Sequence, residues 1–148
     1  MPDRLKVLVA DDSQNDVFLF QRAISSTGAK LHASFVWDGQ EVLDYLEGAN
    51  SFSDRQKYPV PELIILDVKM PRLNGFDVLA WLKSQPRHRA TPVVIFSGSD
   101  DHGDVLRAYL LGASCYMLKP AQTGEMPELV RTLETYWRRY VKLPAHCA

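Results

Sequence analysis

Short apolar runs alternate with amphipathic stretches along nearly the whole chain. Lys6–Ala10 (KVLVA) reads as a buried strand that stops at Asp11-Asp12. Ser13–Ser25 carries Val17, Phe18, Ala23 and Ile24 at helical spacing, and Gly28 suits a left-handed end to that helix. Leu31–Val36 is a second strand. A helix opening at Asp38-Gly39 presents Val42, Leu43, Tyr45 and Leu46 on its apolar side. Residues 48–61 (GANSFSDRQKYPVP) are mostly polar and read as a long surface loop. Leu63–Leu66 (LIIL) is a third strand, and Gly75–Lys83 is a helix burying Phe76, Leu79, Ala80 and Leu82. Pro92–Phe96 is a fourth strand, ending in Ser97-Gly98-Ser99. A helix over Asp104–Leu111 stops at Gly112, and Cys115–Leu118 is the fifth strand, ending in Lys119-Pro120. A last helix over about 127–142 carries Leu129, Val130, Leu133, Tyr136, Trp137, Tyr140 and Val141 in one 3.6-period stripe.

Strands that alternate with helices predict an α/β fold, with a parallel sheet covered on both faces. Five such units make a doubly wound five-stranded sheet. The 148 residues fit one domain, assigned to residues 4–143, with no output domain. At 46% hydrophobic and 24% charged residues, the composition is that of a globular protein. A net charge of −1 gives no broad basic footprint for nucleic acid or a membrane surface. Arg138-Arg139 reads as a solvated helix face. Cys115, in an apolar run, is expected to be buried, and Cys147 to be an unpaired tail residue. Two cysteines make no disulfide framework. With no leader and no membrane-length apolar run, a cytoplasmic location is expected.

In open parallel sheets, ligands bind beyond the carboxyl ends of the strands. Asp11 and Asp12 follow the first strand, Asp67 the third, Ser97 the fourth and Lys119 the fifth. Trp37-Asp38, after the second, shows no obvious role. Three carboxylates brought to one rim repel one another unless a cation joins them. Mg²⁺ suits such oxygen ligands. A carboxylate such as Asp67 can act as nucleophile in phosphoryl transfer, with Lys119 and the cation neutralising the oxygens and Ser97 donating a hydrogen bond. His32, His88, His102 and His146 have no ligand spacing.

The stretches VLVADDS (7–13), LIILDVKMPRLNGFDVL (63–79), PVVIFSGS (92–99) and GASCYMLKP (112–120) resemble the receiver domain of two-component response regulators. The resemblance implies a flavodoxin-like sheet of strand order 2-1-3-4-5. It implies Asp67 as phosphoacceptor, assisted by Lys119 and Ser97. Asp12 would be a direct metal ligand, Asp11 an outer one acting largely through water, and Asp67 a third. Lys69 would offer its backbone carbonyl while its side chain points to solvent. Ser97 and Tyr116 match the family's two switch positions.

Length, loop and the ending LVRTLETYWRRYVKLP resemble the small regulators that pair with bacterial phytochromes. The expected partners are a sensor histidine kinase of that kind and a second copy of the chain, meeting across the fourth helix, fifth strand and last helix. Such a protein is not an enzyme in the ordinary sense; it assists its own phosphorylation and dephosphorylation. An aspartyl phosphatase would carry a second Asp where Lys69 stands. A dinucleotide or flavin binder would carry glycines where Asp-Asp-Ser stands. A phosphorylation-independent interaction module of the same fold is the alternative.

Overall fold

The computed structural model describes residues 4–144. Five parallel strands, β1 (Leu5–Ala10), β2 (Leu31–Val36), β3 (Leu63–Leu66), β4 (Val93–Ser97) and β5 (Cys115–Leu118), lie in the order β2-β1-β3-β4-β5. The helices are α1 (Gln14–Thr27), α2 (Gly39–Glu47), α3 (Gly75–Ser84), α4 (His102–Leu110) and α5 (Met126–Glu134). The three inner strands are apolar on both sides because both sides are covered. Leu8, Ala10, Ile64, Leu66, Val93 and Ile95 pack with α2, α3 and α4. Val7, Val9, Leu63, Ile65, Val94 and Phe96 pack with α1 and α5. The expected doubly wound sheet and its order are therefore present.

Four expectations about packing change, the first on α3, which buries Val78 while Ala80, expected inside, is exposed. On α1 the buried residues are Val17, Phe20 and Ala23, while Phe18 is 56% exposed. A spacing of three keeps 17, 20 and 23 on one stripe, whereas position 18 turns away from it. Cys115 is half-buried, because β5 is an edge strand with a neighbour on one side only. The last helix is not a regular α-helix over 127–142. It runs as α-helix to Glu134 and continues as a π-helical turn, Thr135–Tyr140. This turn buries Trp137 and leaves Tyr136 and Tyr140 exposed, so the aromatic stripe divides between core and surface.

The 48–61 segment is more ordered than its polarity implies. Arg55 reaches back to the end of α2, donating to the Tyr45 and Leu46 carbonyls at 2.9 and 3.0 Å and to Tyr58 at 3.1 Å. Carbonyls at a helix end lack partners within the helix, and this guanidinium supplies them. Phe52 and Tyr58 stack against Tyr45, whose hydroxyl donates to the Pro59 carbonyl at 2.8 Å. The loop is thus a packed extension of the α2 side of the core.

Candidate functional site

The strand order sets the site. Because β1, β3, β4 and β5 are neighbours, Asp11, Asp67, Ser97 and Lys119 stand side by side along one rim. Backbone bonds fix each position. Asp11 N–H donates to Val36 at 3.0 Å, Asp67 N–H to Ala10 at 2.9 Å and Lys119 N–H to Ser97 at 2.8 Å. Asp11, Asp67 and Ser97 are buried, and Asp12 is exposed.

One carboxylate oxygen each from Asp11, Asp12 and Asp67 falls within 4.8 Å of the others. All three donors are hard oxygens, and one of the three residues opens to solvent. That set fits a divalent cation that keeps part of its water shell. Burial lifts the Asp11 carboxyl to about 6; the Lys119 ammonium and the Ser13 N–H oppose the rise, and the Asp67 charge adds to it. Three carboxylates against one nearby ammonium leave negative charge that a cation would relieve.

Lys119 Nζ lies 2.9 Å from Asp67 Oδ2, 2.9 Å from Asp11 Oδ2 and 2.8 Å from Asp16 Oδ2. Burial works against the ammonium, but its bonds to Asp16, Asp67 and Asp11 outweigh this and raise it above the usual lysine range. Asp16 is the residue that motif reading missed. It sits in the first turn of α1, where an acidic residue reads as a partner for the helix dipole. Its place one turn beyond the Asp11-Asp12 pair was the available signal.

The other matched positions lie around this centre. Lys69 has an exposed side chain, and its N–H donates to Asp67 Oδ1 at 3.3 Å. Ser97 Oγ accepts the Ser99 N–H at 3.1 Å. The half-buried Tyr116 donates its hydroxyl to the Ser99 carbonyl at 2.7 Å, so Ser99 joins the two switch positions. Asp38, which had no evident role, caps α2 through the Glu41 N–H at 2.8 Å and takes Arg72 at 2.7 Å. Arg72 adopts a positive φ of 66° in the turn after Asp67, and this ion pair ties that turn to the end of β2. Cys147 and His146 lie outside the described residues.

The response regulator receiver domain family model matches residues 7–131. The chain belongs to that family. This receiver is 29% identical to the response regulator Rcp1 of Synechocystis over 139 residues, covering 94% of this chain and 92% of Rcp1. The phosphorylated cyanobacterial phytochrome response regulator RcpA superimposes with a TM-score of 0.86 at 30% identity, over 96% of this receiver and 99% of RcpA. RPA3017, a response regulator in red light signaling of R. palustris, gives 0.88 at 33% identity, over 95% and 99%. An Mn²⁺-bound form of Rcp1 gives 0.83 at 28% identity, over 95% and 99%. Among the described residues of the receiver, no helix is long and apolar enough to cross a membrane.

The buried Asp11 makes stability depend on pH. Its folded-state value of about 6 lies above that of an unfolded aspartate, so between about pH 4 and 6 the folded chain binds more protons. Stability therefore falls as pH rises through this window. A shift of about two units corresponds to about 3 kcal/mol. Metal-free Asp11→Asn should accordingly be more stable than the parent at pH 8 by about 2–3 kcal/mol, with the gap closing toward pH 4. Urea unfolding at both pH values measures it; an equal gap at each would rule out a burial effect at Asp11.

Proposed function

We propose that this receiver accepts a phosphoryl group on Asp67 from a phosphohistidine of a sensor kinase and passes the signal on by protein contact or phosphorelay. The observation that carries this reading is the Lys119–Asp67 contact of 2.9 Å beside the Asp11, Asp12 and Asp67 oxygen cluster. A carboxylate is a competent nucleophile when its reacting partner's charge is neutralised from more than one side.

In the step, an Asp67 carboxylate oxygen forms a bond to phosphorus. The phosphorus–nitrogen bond of the phosphohistidine breaks, and the imidazole leaves with the electron pair. Asp12 and Asp67 would hold Mg²⁺ directly, with the Lys69 carbonyl, and Asp11 would hold it largely through water. When bound, the ion neutralises charge on the carboxylate and phosphoryl oxygens. Lys119 contributes a positive charge from the β5 side. Ser97 gives up the Ser99 N–H and donates its hydroxyl to a phosphoryl oxygen. Ser99 also holds the Tyr116 hydroxyl through its carbonyl, so a shift of the Ser99 backbone that accompanies this exchange would free Tyr116. A new dianionic group thus biases an element with two arrangements. The chain assists its own modification and dephosphorylation, and turns over no other substrate.

The likeness to RcpA and RPA3017 supports a phytochrome-type kinase as donor, and a cytoplasmic setting is proposed with it. A second copy is the proposed partner for the outer surface of α4, β5 and the last helix. Leu106, Leu110, Leu118, Tyr136 and Tyr140 are all exposed there, Leu110 by 77% and Tyr140 by 75%. Exposed apolar surface of this kind marks contact sites.

Intact-protein mass spectrometry after incubation with acetyl phosphate and Mg²⁺ tests the chemistry. One phosphoryl adduct is expected, absent when the metal is withheld. No adduct, together with no binding of beryllofluoride, would make the chain an interaction module that works without phosphorylation.

A further inference from the structure

Lys119 is crowded by carboxylates: it donates to Asp16 and Asp67 and forms an ion pair with Asp11. An ammonium carries three N–H groups, and three carboxylates meet it, Asp16 at 2.8 Å and Asp11 and Asp67 at 2.9 Å. A phosphoryl oxygen that approaches Lys119 competes with these three carboxylates for it.

The three differ in what else draws on them. Asp11 and Asp67 share the oxygen cluster with Asp12, so a divalent cation competes with Lys119 for both. Asp67 also loses its negative charge on becoming an acyl phosphate, and is then a weaker acceptor. Asp16 stands outside that cluster. Its backbone N–H is held by the Ser13 hydroxyl at 3.2 Å, which fixes it in the first turn of α1. Its side chain is 27% exposed, set at the mouth of the site, whereas those of Asp11 and Asp67 are buried.

We infer that Asp16 is a positioning residue for phosphoryl transfer: it keeps hold of the Lys119 ammonium while Asp11 turns toward the cation and Asp67 toward phosphorus. This rests on the receiver chemistry proposed above and adds a residue to it. With Asp16 present, Lys119 stays anchored while a phosphoryl oxygen takes the place of the Asp67 carboxylate oxygen and Asp11 turns to the cation. Without it, a flexible four-carbon stem is left to find the phosphoryl group as its other two partners loosen. Charge placed in advance where it is needed costs no reorganisation during the reaction.

A carboxylate in a first helical turn also favours the helix dipole, so the test reads quantities that such a role leaves unchanged. The full chain and its Asp16→Ala and Asp16→Asn variants are compared with acetyl phosphate as donor. Asp16→Ala should lower the limiting rate of Asp67 modification at saturating donor and Mg²⁺ by about tenfold. Mg²⁺ affinity by calorimetry should stay within about twofold, because Asp16 is not a ligand. Asp16→Asn keeps an acceptor oxygen and should restore most of the rate. A limiting rate for Asp16→Ala equal to that of the parent would overturn the inference while leaving the receiver reading intact. So would an Asn variant as slow as the Ala variant, or a loss of Mg²⁺ affinity large enough to account for the slowing. A parent chain that takes up no phosphoryl group would overturn the receiver reading, and the inference with it.

Discussion

Asp67→Asn takes up no phosphoryl group under conditions that modify the parent chain stoichiometrically, and it remains folded. The amide cannot act as the carboxylate nucleophile, so the expected loss is complete rather than graded. The fold survives because the contacts that place residue 67 do not depend on its charge. Its N–H still donates to the Ala10 carbonyl, and an amide oxygen can still accept from Lys119 or from the Lys69 N–H. The variant also removes one of three crowded carboxylates, which relieves repulsion in the metal-free protein. Thermal unfolding should therefore give a midpoint no lower than that of the parent. Intact-mass measurement decides the chemistry, and stoichiometric labelling of the variant would move the acceptor to another residue.

Gly75→Ala has the largest expected effect outside the reacting groups. A Cβ there would meet the Val68 Cα at 3.0 Å and the Asp67 carbonyl oxygen closer still. Both are backbone atoms, so no side-chain rotation relieves the overlap. Gly75 also donates its N–H to the Val68 carbonyl at 2.9 Å, closing the turn that carries Asp67. The start of α3 would shift together with its capping box, in which Asn74 and Asp77 bond each other's backbone N–H. Forcing a methyl group into a packed site typically costs about 1–3 kcal/mol, and the backbone contact places this one at the upper end. Displacing Asp67 by a fraction of an ångström should also slow its modification by at least about tenfold. Urea unfolding and the labelling rate measure the two effects. Parent-like values in both would show that the turn has room.

The strand ends were legible because the inner strands are short, largely apolar and covered on both faces. β1 and β3 stop abruptly at Asp11 and Asp67, the edge strand β5 stops at Lys119, and the parallel arrangement brings those stops to one rim. Asp16 was not legible, since its partner is 103 positions away in the chain and a first-turn aspartate has a local explanation of its own. The exposure of Phe18 was hidden because Phe18 and Phe20, two positions apart on α1, are equally apolar in the sequence. The packed 48–61 segment escaped notice because Arg55 is polar in the sequence but spends its donors on helix-end carbonyls. Half-burial of Cys115 follows from β5 lying at the sheet edge, which an apolar run alone does not reveal.

The sites of opposite charge are also far apart in the order of synthesis. A chain that emerges N-terminus first presents Asp11, Asp12, Asp16 and Asp67 before Lys119 has been joined to it. Until β5 pairs with β4, the nascent rim carries its acids without the Lys119 ammonium. Completion of the strand order and arrival of the rim's ammonium are therefore the same event, reached with the last strand.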